Sequence, residues 1–370
     1  MYNIEFNLDE GIQNFLSNIA EGNSKYEYRN ALSGNTQNGL NLRLGYSCYA
    51  LKINYTLGIW EKLKDESKSE WAEYIKSFQK KDSVFPSNSF IDSAMIEGYK
   101  NFSNYKKIKN LSKRTLSLLN LHDYQGVGHQ LSIAVKAETK QAISTLAEAG
   151  FENHKKYLDF ERNSTDIHHY IESLDWQKPW SAGAQFANLC VFTKTQLEDN
   201  DAQRGILSDK ILEYLDTDTG FYFLSKKPSS SQLINGAMKV ISGLNWLDIP
   251  IHYPKKIIDY CLQVKPSSEG CDLVDIIYVL YQASQQTNYR QSEIVNYVDS
   301  LCEIIFSHYY PNEGGFSYYK NKSQLYYYGL LTSKGKDVPD IHGTILLVWA
   351  LAMIFSITEN EKYEWKVLKP

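Results

Sequence analysis

The sequence predicts an all-α protein, an (α/α)6 barrel or toroid in which apolar inner helices are surrounded by amphipathic outer helices. Three observations lead to this fold class. Six segments share one pattern, in which a Gly- or Pro-containing loop leads into an apolar helix of small residues. More polar stretches with charged faces lie between these segments. Signals for strands are poor, because alternating runs are short and Val and Ile do not cluster between turns.

The six apolar segments follow one another along the whole chain. The first, NGLNLRLGYSCYALKINYTLG, predicts a helix from about Arg43 to Leu57. The second, HDYQGVGHQLSIAVKAETKQAISTLAEAG, ends at Gly150, a residue suited to the C′ position of a helix. The other four are LDWQKPWSAGAQFANLCVFTKTQ, LDTDTGFYFLSKKPSSSQLINGAMKVISGL, KPSSEGCDLVDIIYVLYQAS, and NEGGFSYYKNKSQ continuing into PDIHGTILLVWALAMIFSI.

The amphipathic stretches predict the outer helices. They are SEWAEYIKSFQKK, NHKKYLDFERNSTDIHHYIESL, DAQRGILSDKILEYL, PKKIIDYCLQV and SEIVNYVDSLCEIIFSHYY. In the third stretch, Ile206, Leu207, Ile211, Leu212 and Leu215 fall at helical spacing on one face. If the apolar helices lie inside and the amphipathic helices outside, the apolar surfaces of both kinds of helix are covered.

The domain organisation follows from the length and from the spacing of the repeats. We expect one domain over residues 1–370, with a less regular N-terminal part at about residues 1–120. An extra helix or loop is expected within Phe85 to Asn110.

Composition excludes several classes of protein. The 370 residues are 43% hydrophobic and 22% charged, which favours a globular core over disorder. The 39 basic and 43 acidic residues show no basic stripe, so no nucleic-acid partner is expected. The 28 Tyr suit a large lined cavity or a sugar platform, although Tyr also packs well on half-buried helix faces.

The cysteines and the apolar runs indicate in which cellular compartment the protein is expected. The five cysteines are odd in number and lack C-x-x-C spacing, which argues against a disulfide framework and a zinc knuckle. The opening MYNIEFNLDEGIQNFL lacks the features of a secretory signal. The longest apolar run, Ile345 to Ile357, is shorter than the ~20 residues that a membrane span needs. We therefore expect a cytoplasmic protein.

Two turns and two helices resemble those of a known superfamily. LDTDTGFYF and NEGGFSYY resemble the Gly-aromatic turns that precede the inner helices of terpene cyclases and protein prenyltransferases. GCDLVDIIYVLYQ is similar to the zinc-binding inner helix of prenyltransferase β subunits, and DIHGTILLVWAL resembles the later helix that contributes a histidine ligand. The resemblance covers about the last 200 residues and implies the toroid fold more strongly than any activity.

The candidate binding residues come from the ends of the inner helices. If these helices run in the same sense, their N-termini, with their free N–H groups, gather at one mouth. The residues expected there are Arg43, Tyr46, Lys136, Trp176, Trp180, Asp272 and Asp275 for substrate binding, and Glu138, Asp340 and His342 for catalysis.

A catalytic zinc site is one interpretation of the fifth and sixth apolar segments. Cys271, Asp275 and His342 would supply three ligands and leave a fourth position open. The resemblance is broken here, because Ile277 stands where the prenyltransferases have their cysteine ligand. The alternative is that Cys271 is a small buried residue. The sequence leaves open whether the cofactor is zinc, magnesium or none.

An acid for protonating an alkene is a second interpretation. DTDTG contains an Asp-x-Asp core, similar to that of class II terpene cyclases, which would make Asp218 the proton donor. The motif ends at Thr219 in place of a further Asp. An Asx-type turn is the favoured alternative, since Asp, Thr and Gly are turn residues.

Carbohydrate chemistry is a third interpretation. Trp176 and Trp180 around a Pro turn would form a sugar platform, with Glu138 or His342 as acid or base and Arg43 facing a carboxylate. Equally, the two tryptophans would fix the loop onto the core.

Three functional hypotheses follow, each with a small-molecule or macromolecular partner of its own. The first is an isoprenoid-handling enzyme of the terpene cyclase or prenyltransferase type. The second is a carbohydrate-active lyase, hydrolase or epimerase that acts on a glycan intermediate. The third is a non-catalytic binding or scaffold toroid. A cavity lined by aromatic side chains with one acid at depth favours the first, and an open groove with Arg, His and Tyr favours the second.

Overall fold

The protein is described by a computed structural model that covers residues 7–21, 25–101, 126–268 and 271–370. Within these ranges it is mostly helical, with two small antiparallel sheets of two strands each. The prediction of an all-α protein is therefore confirmed.

The elements are numbered here in chain order. The helices are α1 (Leu8–Ile19), α2 (Gln37–Asn41), α3 (Leu44–Thr56), α4 (Ile59–Lys62), α5 (Asp65–Lys76), α6 (Ser93–Lys100), α7 (Val127–Glu148), α8 (Ser164–Ser173), α9 (Pro179–Gln196), α10 (Asp201–Lys210), α11 (Ser230–Trp246), α12 (Pro254–Cys261), α13 (Cys271–Ser284), α14 (Gln291–Phe306) and α15 (Ile341–Ile357). The strands are β1 (Gln79–Lys80), β2 (Ser89–Phe90), β3 (Tyr326–Tyr327) and β4 (Leu330–Leu331).

All six predicted apolar helices are present, as α3, α7, α9, α11, α13 and α15. The predicted end of α7 is also confirmed, because Gly150 has a φ of +84° in the left-handed region just beyond the helix. Each of these helices packs against the next one along the chain, from α3 to α15. Helix α15 in turn packs against α3, so the contacts form a closed cycle.

The amphipathic stretches form helices that pack on the outside of this cycle. Helix α12 packs against α13, and α14 packs against α15. In α10 and the 3-10 turn that follows it, Leu207 and Ile211 are buried as predicted. Leu212 is 45% exposed, however, because the chain tightens to a 3-10 turn after Lys210 and the side chains rotate away from the predicted face.

Residues 366–370 cross one end of the inner helices. The amide of Lys366 donates to the carbonyl of Thr56 at 2.8 Å, and the amide of Lys369 donates to Oε2 of Glu148 at 2.8 Å. The indole of Trp246 donates to the main-chain oxygen of Pro370 at 2.9 Å. Thr56, Glu148 and Trp246 are the last residues of α3, α7 and α11, so these three helices point the same way.

The region from Phe85 to Asn110, where an extra helix or loop is expected, contains β2 and α6. Its residues 102–110 lie outside the described ranges. No helix in the described part of the chain has both the length and the apolarity needed to cross a bilayer.

Asp340 holds the start of the most apolar helix in place. Its Oδ1 accepts the amide of Gly343 at 2.8 Å and so caps α15. Its Oδ2 accepts the amides of Tyr318 at 2.8 Å and Gln324 at 2.9 Å, which fixes the preceding loop. Gly343 is required because a Cβ there would lie 2.3 Å from the backbone of Ser317.

We predict that Asp340→Ala destabilises the protein by about 3 kcal/mol or more, because three amides lose their acceptor in a buried site. Asn163→Ala is the matched control. The side chain of Asn163 caps α8 near the surface by accepting a single backbone amide, that of Asp166, at 2.9 Å. That substitution should cost about 1 kcal/mol. Urea denaturation measures both, and equal losses would contradict the anchoring role of Asp340.

Candidate functional site

A cavity of about 250 Å³ lies between the inner helices. Side chains from α3, α7, α9, α11 and α15 line it. The turn between β3 and β4 contributes Tyr328, and the C-terminal segment contributes Leu368 and Pro370. A site shared by so many sequence-distant elements is the expected place for function in this fold.

Aromatic rings form one part of the cavity wall. Tyr49 comes from α3 and Trp349 from α15, while Tyr328 sits in the turn of the β3–β4 hairpin. Tyr328 and Gly329 both have positive φ, at +42° and +81°, as a two-residue type I′ turn requires. The hydroxyl of Tyr99 donates to the carbonyl of Tyr328, which holds the hairpin turn at the cavity.

His342 lies on the cavity wall as a neutral imidazole. Its ring stacks on Tyr49 at a centroid distance of 5.1 Å and contacts Tyr318 at 5.0 Å. Burial, and secondarily the charge of Lys239, lowers the pKa of His342 to about 4. Among the described residues, its Nδ1 has no hydrogen-bond partner. A neutral ring with an unpaired nitrogen can exchange a proton with a ligand.

Three lysines also line the cavity: Lys52 from α3, Lys140 from α7 and Lys239 from α11. The Nζ of Lys140 donates to the main-chain oxygen of Pro370 at 2.9 Å. Burial lowers the pKa of Lys52, and burial together with the charges of Lys52 and Lys239 lowers the pKa of Lys140 well below its usual range. The lining residues include no Asp or Glu side chain within the described ranges.

Glu138 lies beside the cavity and does not line it. It is 1% exposed, and its Oε1 accepts the hydroxyl of Tyr327 at 3.0 Å. Burial, and then the charge of Asp92, raises the pKa of Glu138 well above its usual range. The ring of Tyr327 lies 5.5 Å from that of Tyr46 and 6.2 Å from that of Tyr49, which links the acid to the aromatic wall.

The start of α13 meets the start of α15 around Tyr318. The hydroxyl of Tyr318 lies 3.5 Å from Sγ of Cys271, and its ring contacts His342. Asp275 is 3% exposed, and burial raises its pKa to about 7, with Lys239 opposing and Asp272 adding to the shift. No group of three His, Cys, Asp or Glu side chains in the part of the chain that the structure describes is placed to hold a metal ion. The predicted zinc set of Cys271, Asp275 and His342 is therefore not assembled.

Other predicted binding residues have structural partners elsewhere. Arg43 pairs with Glu27, with Nε 2.8 Å from Oε2. The ammonium of Lys136 lies over the ring of Tyr170 on outer helix α8. Asp272 accepts the hydroxyl of Ser231 at 2.9 Å and the amide of Asn235 at 2.8 Å, and so joins α13 to α11. Arg43, Lys136 and Asp272, which were expected to bind substrate at a common mouth, do not line this cavity.

Trp176 and Trp180, both from the third apolar segment, differ in their burial. Trp176 is 2% exposed, stacks on Tyr214 at 4.3 Å, and donates its indole N–H to the carbonyl of Ile171 at 3.0 Å. It therefore fixes the loop to the core and cannot be a sugar platform. Trp180 is 40% exposed and borders a shallow depression on the surface.

Two of the predicted catalytic acids are structural. Asp218 is exposed in a turn in which Asp216 accepts both the amide and the hydroxyl of Thr219, at 2.8 and 2.6 Å. The turn of the alternative interpretation is thus present, and Asp218 does not line the cavity. Asp340 is fully buried and its oxygens accept three amides, which gives it a structural role.

The sequence interpretation missed most of the lining side chains. A usable signal was present in α15, where His342, Ile345, Leu346 and Trp349 have the spacing of one helix face. Lysines on the inward face of otherwise apolar helices were a second signal. The sequence carried no signal for the position of Tyr328, because this position depends on a hairpin whose two strands contain only two residues each.

Comparisons with known proteins yield two solved structures. No family model matches the chain, and no curated protein matches it. The two structures are variants of the type II terpene cyclase MstE from Scytonema, one with the product merosterolic acid A and one with the substrate geranylgeranyl dihydroxybenzoate. Both have a TM-score of 0.40 and 12% sequence identity. The similarity covers 95% of this chain and 96% or 97% of the other chains.

We predict that Asp275→Asn stabilises the protein more at pH 8 than at pH 4. The native pKa of Asp275 is about 7, against an ordinary value of 3.8, so the unfolded chain loses this proton first as the pH rises. Native stability therefore falls between pH 4 and pH 7, and asparagine removes that loss. The gain over the unsubstituted protein should reach up to about 4 kcal/mol at pH 8.

Urea denaturation at the two pH values measures this difference. Asp218→Asn is the control, since Asp218 is exposed and its substitution should leave the pH dependence unchanged. An Asp275→Asn gain of the same size at both pH values would show that the carboxyl is ionised in the native protein.

Proposed function

We propose that this chain is an (α/α)6 toroid enzyme of one domain that handles an isoprenoid-bearing small molecule in the cavity between its inner helices. One observation carries the proposal: a partly aromatic cavity between the inner helices lies beside Glu138, a buried acid whose pKa is raised by desolvation. The closed cycle of helix contacts and the common direction of α3, α7 and α11 support the toroid.

The lining suits a flexible apolar chain. Besides the rings, the apolar side chains that face the cavity are Ala137, Ala184, Ala187, Met238, Ile345, Leu346 and Leu368. Small alanines leave room, and Met adapts its shape to a ligand. The volume is just below the ~300–1,000 Å³ that is typical of small-molecule pockets, which favours a small ligand over a polymer.

The acid and the rings suit a reaction that begins with protonation. Glu138 adjoins the cavity, and its Oε2 has no hydrogen-bond partner among the described residues. A ligand that reaches this oxygen would accept its proton at a carbon–carbon double bond, which breaks the π bond, forms a C–H bond and leaves a carbocation. The faces of Tyr49 and Tyr328 would stabilise that cation, as aromatic rings stabilise bound cations generally. Loss of a proton to His342 would restore a double bond, so the product would be an isomer of the substrate. Solvent would then return the proton to Glu138.

The other two hypotheses have less support. The carbohydrate hypothesis used Trp176 as a platform and Arg43 as the partner of a carboxylate, but the first is buried and the second is paired with Glu27. The scaffold hypothesis requires no acid beside the cavity. It predicts that a ligand binds and is recovered unchanged.

The proposal is tested with farnesol, farnesyl phosphate, farnesyl diphosphate and farnesoic acid. Calorimetry measures their binding to the purified protein, and mass spectrometry of the extracted mixture looks for isomers of each compound. We expect at least one compound to bind and to be converted. Binding without conversion would favour a scaffold, and binding of glucuronate in place of all four would favour the carbohydrate hypothesis.

We predict that Glu138→Gln lowers the rate of conversion by 100-fold or more and changes binding by less than about threefold. Glutamine preserves the volume and still accepts the Tyr327 hydroxyl, but it has no acidic proton. Asp218→Asn serves as control and should convert at the unsubstituted rate. If Glu138→Gln converts the ligand equally fast, Glu138 is not the proton donor.

A further inference from the structure

We propose that the surface depression beside Trp180 is an outer subsite, which binds an uncharged sugar at the far end of the ligand that fills the cavity. The inference rests on the proposed function for the isoprenoid part of the ligand, and on the depression alone for the sugar. The depression has a volume of about 450 Å³. The side chains that line it are those of Gln177, Lys178, Trp180, Ser181, Ala184 and Gln232.

The depression and the cavity follow one another along a single face of α9. Ala184 lines both spaces. Trp180 lies one turn before it and lines the depression, while Ala187 lies one turn after it and lines the cavity. Residues at this spacing share one face of a helix. The wall common to the two spaces is therefore the methyl group of an alanine.

Helix α11 supplies a second wall to both spaces. Gln232 lines the depression, and Lys239, seven residues or about two turns later, lines the cavity. The two helices approach closely here, because a Cβ at Gly236 would lie 2.7 Å from the Cβ of Pro179. The depression and the cavity thus occupy successive lengths of one groove between α9 and α11.

The C-terminal segment covers the cavity at the other end of α11. Trp246, the last residue of α11, donates its indole N–H to the main-chain oxygen of Pro370 at 2.9 Å. Leu368 and Pro370 line the cavity. Gln232 lies in the first turn of the same helix, so the depression is at the opposite end from this segment. A ligand longer than the cavity would extend toward Trp180.

Trp180 provides a platform for a sugar ring. It is 40% exposed, whereas Trp176, four residues earlier, is 2% exposed and stacks on Tyr214. An exposed indole has a flat apolar face, and the C–H face of a sugar ring packs against such a surface. Of the two tryptophans in the third apolar segment, Trp180 is therefore the one that a ligand can reach.

The polar groups of the depression favour an uncharged sugar over an aromatic ring. The side-chain amides of Gln177 and Gln232 and the hydroxyl of Ser181 can donate to and accept from the hydroxyl groups of a sugar. An aromatic hydrocarbon would cover these groups and offer them no hydrogen bond. The ammonium of Lys178 is already paired with the carboxylate of Asp175 at 2.8 Å, so it supplies no net charge for an acidic sugar.

The experiment compares three ligands that share one chain: farnesol, farnesyl β-D-glucoside and farnesyl phenyl ether. Calorimetry measures the affinity of the purified protein for each of them. We expect the glucoside to bind about 10-fold or more tightly than the other two, because it combines an apolar ring face with hydroxyl groups. Equal affinities for all three, or tightest binding of the phenyl ether, would overturn the sugar subsite.

Substitutions of Trp180 test its role as the platform. Trp180→Ala should lower the affinity for the glucoside by about 10-fold or more and change that for farnesol by less than about twofold. Trp180→Phe retains a ring and should recover most of the affinity for the glucoside. Tyr253→Ala is the matched control, since Tyr253 is 44% exposed and does not line the depression. It should leave all affinities unchanged.

The outcomes distinguish this inference from the proposed function. Unchanged affinity of Trp180→Ala for the glucoside would overturn the sugar subsite, while binding of farnesol would still support the isoprenoid. If no farnesyl compound binds, methyl β-D-glucoside is titrated alone. Its binding to the unsubstituted protein and not to Trp180→Ala would retain the sugar subsite and refute the isoprenoid, and no binding of methyl β-D-glucoside would refute both.

Discussion

The contact between α15 and α3 is the interaction on which the rest of the structure depends. It joins the last inner helix to the first and closes the cycle that encloses the cavity. The stacking of His342 on Tyr49, at an interplanar angle of 16°, belongs to this contact and places both side chains on the cavity wall. Asp340 supports it from outside, because the same carboxylate caps α15 and fixes the loop that carries Tyr318.

The ionisable groups of the site share one electrostatic feature, a pKa that burial has shifted. Glu138 and Asp275 are buried in the helix cycle with their pKa values raised, while His342 and Lys52 are buried with theirs lowered. All four shifts have desolvation as the main cause, so each group is driven toward its neutral form. Titratable groups with shifted pKa values around one cavity are typical of functional sites, which is why this region is the candidate site.

The sequence alone predicts the helices but not the side chains that line the site, for a physical reason. Helix formation and burial leave a local pattern, so the helix predicted from about Arg43 to Leu57 is present as α3, and each of the other five apolar segments carries one inner helix. The site depends on which side chain of each helix turns inward, and that depends on contacts between distant helices. Arg43 and Lys136 were expected inside because they lie near helix starts, yet Lys52 and Lys140 are the residues that line the cavity. A repeat pattern predicts which helices meet, and it does not predict their rotation.

The acid and the imidazole at the start of α15 illustrate this difference between local and distant information. Asp340 has a local explanation, because a helix this apolar must begin with a cap, and the sequence alone predicts one. His342 has none, since a capped helix does not need a histidine in its first turn. Its position becomes intelligible only through Tyr49 and Tyr318, which come from other parts of the chain. Because Asp340 fixes Tyr318 while Tyr318 contacts His342, the structural acid also orients the candidate base. The two residues therefore act together: the cap sets the geometry of the loop, and the imidazole lines the cavity.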